Sequence, residues 1–274
     1  MTDYSNNETL RRIESALEAA RVVFSRFIPG AIGAEYKIGH DPVTEADRAV
    51  DVVLRKELLR DGEGWLSEES VDDLSRLERE RVWVVDPLDG TREFVAGIPE
   101  FCVSIAMVEH GRAIAAGICN PATGETFVGS LKSGLSYNGK PAHVSQRKNL
   151  EGALVLASRS EIKRGEWKPF ENAPFKIQPT GSVAYKLARV SAGLADLTFT
   201  LTPKHEWDVA AGAALVESGG GFVSTLQAAP FRCNNKDPLI SGLVAGTPGL
   251  REELFAALES QLQLAVRRPI ASSS

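Results

Sequence analysis

The stretch WVVDPLDGTREF, residues 83–94, places two carboxylates directly after an apolar run. The apolar run is typical of a buried strand, and carboxylates at its end would repel each other and resist burial. In a tight turn, Asp86, Asp89 and the Leu88 carbonyl can converge on one point. Hard cations such as Mg²⁺ prefer oxygen ligands of this kind. We therefore expect divalent cations to offset the cost of burying this turn.

The residues after the acidic turn predict an anion site beside the cations. Gly90 and Thr91 open a predicted short helix, and backbone N–H groups at a helix start attract phosphate. Strand, acidic turn and helix start would thus bring metal and phosphate together. The alternative is an aspartate that caps a helix in an exposed turn.

Three further acidic segments accompany this turn. They are DPVTEAD (41–47), SEES (67–70) and EWDVAAG (206–212). Each also has a simpler interpretation: Thr44 and Asp47 could cap a helix, the SEES glutamates could form a solvated charge pair, and Asp208 could be an N-cap.

Composition indicates a globular protein with one large domain or two closely packed lobes. The chain has 274 residues, 43% apolar and 24% charged, with a net charge of −5. This charge argues against a nucleic-acid polymer as partner. Three cysteines without a CxxC pair indicate reduced thiols in a cytoplasmic protein, and no segment has the pattern of a signal peptide or membrane span. Disorder is expected at residues 1–7 and in a tail over 267–274.

Periodicity predicts an α+β fold. Apolar residues recur at helical spacing over 8–28 and 44–59, and β-rich runs over 101–129 indicate an antiparallel meander. Beyond residue 150 the prediction alternates between strands and helices: strands 153–157, 197–201, 222–225 and 239–245, and helices 183–192, 209–218 and 248–264. This order favours layered α+β architecture over a doubly wound parallel sheet.

These motifs, in this order, resemble the inositol monophosphatase superfamily of Mg²⁺-dependent, lithium-sensitive phosphatases. The matching segments are DPVTEAD, SEES, WVVDPLDGTREF, EWDVAAG and ESGGGF (217–222). The resemblance reaches from the first helix to about residue 250. It implies a layered αβαβα sandwich formed as one phosphatase domain of two lobes, about 1–150 and about 151–265. Within the family, DPLDGT followed by a basic residue and EF is most similar to the CysQ branch, the 3′(2′),5′-bisphosphate nucleotidases.

The resemblance implies two Mg²⁺ ions per active site. Glu68, Asp86 and the Leu88 carbonyl would hold the first ion. Asp86, Asp89 and Asp208 would hold the second, and a weaker third ion is expected near Glu68 through water.

The resemblance also implies roles in catalysis. Thr91 with Asp47 would orient an attacking water, and Glu68 belongs to the same catalytic set. The expected contacts to substrate and phosphate are Gly90, Thr91, Asp208, Gly181 and Ser182. For Gly181-Ser182, a simple helix cap is an equally simple interpretation. Lys37 lies near where some relatives place a phosphate-contacting lysine, although its spacing to Asp47 differs by about one residue. His205 is a candidate for the mouth of the site, and a solvated loop role is the favoured alternative.

The implied reaction is attack on phosphorus by a metal-activated water, without a covalent phosphoenzyme. A haloacid-dehalogenase-type phosphatase is excluded by spacing, because its nucleophilic aspartate would fall on Pro87. A catalytically silent binding module is the alternative of a different class. Such a protein usually lacks a metal ligand or the threonine, and here none is missing.

The predicted substrate is a small phosphorylated molecule, 3′(2′)-phosphoadenosine 5′-phosphate. Arg92-Glu93-Phe94 follows the acidic turn as in CysQ, and Leu201 stands where animal inositol phosphatases carry an inositol-contacting acid. The alternatives within the superfamily are inositol 1-monophosphate and histidinol phosphate. No membrane partner is expected, and the resemblance allows a homodimer.

Overall fold

The computed structural model describes residues 3–36 and 42–267. Its α-helices are α1 (Asp3–Phe24), α2 (Glu45–Leu58), α3 (Thr91–Val95), α4 (Arg159–Arg164), α5 (Val183–Ser191), α6 (Glu206–Ser218) and α7 (Arg251–Arg267). Its strands are β1 (Glu35–Tyr36), β2 (Pro42–Val43), β3 (Gly64–Ser67), β4 (Arg81–Asp89), β5 (Cys102–Glu109), β6 (Arg112–Cys119), β7 (Thr126–Ser130), β8 (Gly134–Tyr137), β9 (Lys140–Ala142), β10 (Leu154–Ser158), β11 (Lys176–Thr180), β12 (Leu197–Thr200), β13 (Lys204–His205), β14 (Phe222–Ser224), β15 (Leu239–Ile240) and β16 (Leu243–Gly246).

The first half of the chain forms a seven-stranded sheet in the order β3-β4-β5-β6-β7-β8-β9. Strands β3 and β4 are parallel, and each later neighbour pairs antiparallel. The predicted meander is therefore confirmed. Its last hairpin turns at Asn138-Gly139, where both residues have positive φ, as a two-residue turn between twisted strands requires.

Both faces of this sheet are buried, because helices cover each side. Alternate residues of β4 point to opposite faces: Trp83 and Val85 pack with α1 and α2, whereas Val82 and Val84 pack with α5 and α6. The near-continuous apolar run that marked this strand in the sequence follows from burial on two sides.

The second half forms a mixed five-stranded sheet in the order β11-β10-β12-β16-β14. One face packs on α5 and α6, and the other packs on α7 and an aromatic cluster that includes Trp167, Phe170 and Phe199. The molecule is thus layered α1/α2, large sheet, α5/α6, small sheet, α4/α7. This arrangement confirms the predicted α+β fold of αβαβα layers and excludes a doubly wound parallel sheet.

The central layer explains an unusual helix. Helix α6 is apolar on nearly all sides, since it lies between two sheets and has no solvent face. It also approaches α5 closely: a Cβ on Gly212 would lie 2.3 Å from the Leu187 Cβ.

Some predicted boundaries were wrong. Of the N-terminal residues expected to be disordered, residues 3–7 form the start of α1, where Asn6 is buried and donates to the Ser133 hydroxyl at 2.6 Å. Helix α1 also ends at Phe24, four residues before the predicted end at residue 28. The expected tail beyond Arg267 lies outside the described residues. Within the described ranges, no helix combines the length and apolarity that crossing a membrane requires.

Candidate active site

A bulge in β4 brings the two aspartates of the opening motif to one side of the sheet. Asp86 pairs with Ser104 and Asp89 with Cys102, so β4 contains one more residue than β5 over this interval. In a regular strand, residues three apart point to opposite faces of the sheet. The extra residue of the bulge lets Asp86 and Asp89 point to the same side. The Asp86 carboxylate also accepts a hydrogen bond from Leu88 N at 2.9 Å, which tightens the turn.

Asp86 and Asp89 converge with Asp208, from the second half of the chain. One carboxylate oxygen from each residue lies within 4.8 Å of the other two. Burial raises the pKa of Asp86 well above its ordinary value, and repulsion from Glu68, Asp89 and Asp208 raises it further. The pKa of Asp208 is raised well above its ordinary value for the same reasons. Such a cluster strongly favours a bound cation.

Asp89 is held in place by the N-terminus of α5. One of its oxygens accepts from the Ser182 hydroxyl at 2.7 Å and from Ala184 N at 2.6 Å. Burial still raises the pKa of Asp89, although these two hydrogen bonds oppose the shift. The contact links the acidic turn of the large sheet to the central helical layer.

Asp208 belongs to the first turn of α6, so the alternative interpretation of Asp208 as the N-cap is wrong. The helix begins at Glu206, so Asp208 is the third helical residue and accepts from His205 N at 2.9 Å. His205 is exposed and its ring stacks on Trp207, with centroids 4.4 Å apart. Both residues line the cavity, so the structure places His205 at the cavity wall, the less favoured of its two interpretations.

Thr91 connects the acidic turn to Asp47. Its hydroxyl lies 3.1 Å from Asp47 Oδ1 and 3.0 Å from the Leu88 carbonyl oxygen. Asp47 is buried in the capping box of α2, where its other oxygen accepts from Thr44 N at 2.7 Å. Burial raises the pKa of Asp47. The capping interpretation and the catalytic one are therefore compatible, because the two oxygens of Asp47 serve different partners.

These groups open into a cavity of about 530 Å³. Glu68 lines the same cavity, and its charge acts on Asp86 and Asp208. The other predicted residues that line it are Asp86, Leu88, Asp89, Gly90, Thr91, Gly181, Ser182, His205 and Asp208. The structure therefore brings together every predicted metal-ligand residue, while Asp47 is reached through Thr91. Lys37 and Asp41, the first residue of DPVTEAD, lie outside the described residues.

The structure gives Gly181 and Ser182 defined partners within the protein. Gly181 N donates to Glu100 at 2.7 Å, and a Cβ on Gly181 would lie 2.4 Å from the Glu93 Cγ. The Ser182 hydroxyl accepts from Tyr185 N as the cap of α5 and donates to Asp89. The helix-cap interpretation of Ser182 is thus confirmed, and its contact with Asp89 was not predicted.

Sequence reasoning missed three basic side chains of this cavity. Arg164, Lys186 and Lys204 all line it. Lys186 is buried in α5, and its ammonium donates to the Ser182 carbonyl at 2.9 Å. The sequence could have indicated that Lys186 is buried, because it falls on the apolar helix face of Val183, Leu187 and Val190. An unpaired lysine is costly to bury on such a face.

The structure also corrects the argument based on Leu201. Its side chain packs against the apolar cluster beneath the small sheet and does not line the cavity. An apolar residue there therefore says nothing about the polarity of the substrate pocket.

Comparison with known proteins identifies the family. The family model described as "Inositol monophosphatase family" matches residues 6–263. This chain belongs to the inositol monophosphatase family. Members are metal-dependent phosphatases, so the predicted class of enzyme is confirmed.

Two curated relatives and two solved structures illustrate the similarity. The chain is 30% identical to the Nus factor SuhB of Escherichia coli (strain K12), over 93% of this chain and 97% of the relative. It is 33% identical to the inositol-1-monophosphatase of Mesorhizobium japonicum, over 81% and 84%. The inositol monophosphatase structure from Anabaena (Nostoc) matches with a TM-score of 0.80 and 26% identity, over 93% of this chain and 97% of that chain.

A CysQ structure from Bacteroides thetaiotaomicron matches with a TM-score of 0.72 and 23% identity, over 88% and 97%. At this identity the likeness shows the shared fold alone. Superfamily membership is confirmed by the family model, whereas the CysQ branch remains a prediction.

Proposed function

We propose that this chain hydrolyses phosphomonoesters with Mg²⁺ held by Asp86, Asp89, Asp208, Glu68 and the Leu88 carbonyl. The observation that carries the proposal is the convergence of three carboxylates within 4.8 Å beside the Thr91–Asp47 pair. The donor set fits the ion: each aspartate uses one oxygen to accept a hydrogen bond within the described residues and has a second oxygen available. Carboxylate and carbonyl oxygens are the ligands that Mg²⁺ prefers.

When bound, the metal ions lower the pKa of water and neutralise charge on the phosphate and leaving group. The chain's own residues position the reactants. The Thr91 hydroxyl has one proton and two neighbouring acceptors, so when it donates to Asp47 its lone pairs remain available to accept from a water in the cavity. Asp47 fixes this orientation and can receive the proton. The Gly90 and Thr91 amides lie at the same edge of the cavity, where they can donate to phosphate oxygens.

The test is phosphate release in Mg²⁺ and in EDTA, with Li⁺ as a second variable. We expect release to require Mg²⁺ and to be suppressed by Li⁺. Full activity in EDTA would contradict the proposal.

For substrate, we propose 3′(2′)-phosphoadenosine 5′-phosphate. Two features support it: Arg92-Glu93-Phe94 follows the acidic turn in the CysQ manner, and four basic side chains line the cavity. These are Arg92, Arg164, Lys186 and Lys204. A substrate with two phosphate groups uses such a lining better than a monophosphate does. The stacked His205–Trp207 pair offers an aromatic surface for a base.

Inositol 1-phosphate is the second candidate. The support for it is the similarity of this chain to the inositol-1-monophosphatase of Mesorhizobium japonicum, at 33% identity. Because Leu201 does not line the cavity, it also gives no argument against an inositol substrate.

A parallel comparison of kcat/KM decides between these candidates. The panel is adenosine 3′,5′-bisphosphate, inositol 1-phosphate, fructose 1,6-bisphosphate and histidinol phosphate. We expect the nucleotide to be the best substrate. A tenfold advantage for inositol 1-phosphate or histidinol phosphate would overturn this choice and leave the metal chemistry unchanged.

A further inference from the structure

Helix α2 carries a second buried carboxylate, one turn beyond Asp47. Asp51 is 8% exposed and lies on the helix face that also buries Leu54 and Leu58. A carboxylate on an apolar face is costly to bury unless its oxygens accept hydrogen bonds. Asp51 does not line the active-site cavity as the described residues define it. Any effect of Asp51 on the site therefore passes through the residues that it contacts.

Both oxygens of Asp51 accept hydrogen bonds from serines of the SEES segment. Ser67 Oγ donates to Oδ1 at 2.5 Å, and Ser70 Oγ donates to Oδ2 at 3.0 Å. These two serines stand on either side of Glu68 and Glu69 in the chain. Ser67 Oγ also accepts from Glu69 N at 3.3 Å. One buried carboxylate thus holds both ends of the loop that carries Glu68.

Helix α2 therefore fixes two parts of the site at once. Its first turn holds Asp47 beside the Thr91 hydroxyl, and its second turn holds the loop of Glu68. Residues four apart on a helix lie on one face, separated by a rise of about 6 Å. Glu68 N also donates to the Val85 carbonyl at 3.4 Å, which places Glu68 next to Asp86 of β4.

We propose that Asp51 is a positioning residue that holds the predicted metal ligand Glu68 in register with the Thr91–Asp47 pair. The inference rests on the proposed phosphatase function. The attacking water has to contact the cation and the Thr91 hydroxyl at the same time, so the cation's ligands need a fixed position relative to Thr91. Without Asp51, the loop of Glu68 would lose both hydrogen bonds to α2 and hold Mg²⁺ more weakly. Two hydrogen bonds are required for this role, and the negative charge of Asp51 is not.

The experiment measures the Kd for Mg²⁺ by calorimetry, without substrate, in Asp51→Ala and Asp51→Asn. Asparagine can accept from Ser67 through its oxygen and donate to Ser70 through its amide, so it keeps both contacts without the charge. We expect Asp51→Ala to raise the Kd roughly 10- to 100-fold, the range for residues that orient metal ligands. Asp51→Asn should stay near the parent.

Asp196 provides the matched control. It is also 8% exposed and also accepts from a serine hydroxyl, that of Ser145, at 2.5 Å. It precedes β12 in the small sheet and is not among the residues that line the cavity. Asp196→Ala should therefore lower the melting temperature and leave the Kd for Mg²⁺ at the parent value.

Kinetics at saturating Mg²⁺ give a second measurement. Asp51→Ala should lower kcat and leave KM for the substrate near that of the parent, because the loop positions the reacting water and not the substrate. Circular dichroism verifies folding. If Asp51→Ala does not fold, Ser70→Ala, at a partly exposed site, removes one of the two hydrogen bonds and should raise the Kd by a smaller factor.

Three results would overturn the inference while the parent binds Mg²⁺. An unchanged Kd in Asp51→Ala would show that the loop of Glu68 does not need this contact. An equal loss in Asp51→Asn would show that the charge of Asp51 acts, and an equal loss in Asp196→Ala would show a general effect of lost stability. A parent that binds Mg²⁺ but hydrolyses no phosphomonoester would contradict only the proposed function, and one that binds no Mg²⁺ would overturn both.

Discussion

In the proposed mechanism Thr91 orients the attacking water, because its hydroxyl has one proton and lies beside both Asp47 and the Leu88 carbonyl. A group that acts only in the transition state affects kcat more than KM. We expect Thr91→Ala to lower kcat by roughly 10²-fold or more, with KM little changed. Steady-state kinetics at saturating Mg²⁺ provide the measurement.

Thr91→Ser is the matched control, because it keeps the hydroxyl. It should retain most of the parent kcat. Near-normal kcat in Thr91→Ala would reduce Thr91 to a structural role at the start of α3.

Asp86 should destabilise the metal-free protein at neutral pH. The unfolded chain has the ordinary pKa of 3.8, whereas burial and its acidic neighbours raise the folded pKa well above it. Folding therefore favours the protonated carboxyl. As pH rises from about 4 through the folded pKa, the folded state loses stability relative to the unfolded chain.

Asp86→Asn removes this charge while its side-chain carbonyl can still accept from Leu88 N. In EDTA at pH 8 we expect the variant to melt at or above the parent, and the difference should shrink as pH falls towards 4. Mg²⁺ should stabilise the parent and have little effect on the variant. Thermal melts across pH, with and without Mg²⁺, test this; equal Mg²⁺-induced shifts would contradict the assignment of Asp86 as a ligand.

At the scale of elements, the junction between β4 and α3 depends on Gly90. Its φ is +97°, and a Cβ there would lie 2.9 Å from the Glu100 carbonyl oxygen and 3.1 Å from the Phe101 Cα. Gly90→Ala thus combines a left-handed backbone, which costs about 1–2 kcal/mol, with a backbone clash. We expect a loss of about 3 kcal/mol or more in the free energy of unfolding, measured by urea denaturation.

Gly139→Ala separates these two contributions. Gly139 has φ +75° in the β8–β9 turn, but an added Cβ would meet nothing within 4 Å. The Gly139→Ala variant should lose only the part of the free energy of unfolding that comes from the left-handed backbone. Similar losses at both positions would show that the clash at Gly90 is relieved by movement of the Glu100 segment.

The helices and strands were predictable where pattern and burial agree. Helix α2 begins after Thr44 as its capping box predicts, and the meander follows the β-rich runs over 101–129. Strand β11 was missed because its sequence, KIQPT, is polar and contains a proline, which an edge strand tolerates. The bulge after Asp86 was not predictable, since it depends on the register between β4 and β5.

The composition of the site was more predictable than its electrostatics. The acidic motifs identified the residues that converge, because carboxylates buried together need a cation to compensate their charge. Lys186 was missed because a single lysine on a helix is usually exposed, and its burial depends on how α5 packs between two sheets. Ser182 was predicted only as a cap or substrate contact, because its bond to Asp89 joins residues 93 positions apart.

At the scale of the whole molecule, the site lies where two halves of the chain meet, and each half contributes negatively charged carboxylates to it. Asp86 and Asp89 belong to the large sheet, whereas Asp208 and the Ser182 cap belong to the central helical layer. Without a cation, the carboxylates repel each other across this junction. A cation held by these carboxylates would offset that repulsion and should restrict local opening on both sides.

We therefore expect Mg²⁺ to slow amide hydrogen exchange together in the β4–α3 segment and in the first turns of α5 and α6. The hairpin of β8 and β9, which contributes no ligand, is the internal control. In Asp208→Asn, the loss of one ligand on α6 should remove most of the protection from the β4–α3 segment as well, because the ion binds through both halves. Mass spectrometry of exchange, with and without Mg²⁺, makes the measurement. Protection confined to one half, or retained at β4–α3 in Asp208→Asn, would show that the metal binds within one half and does not join the two.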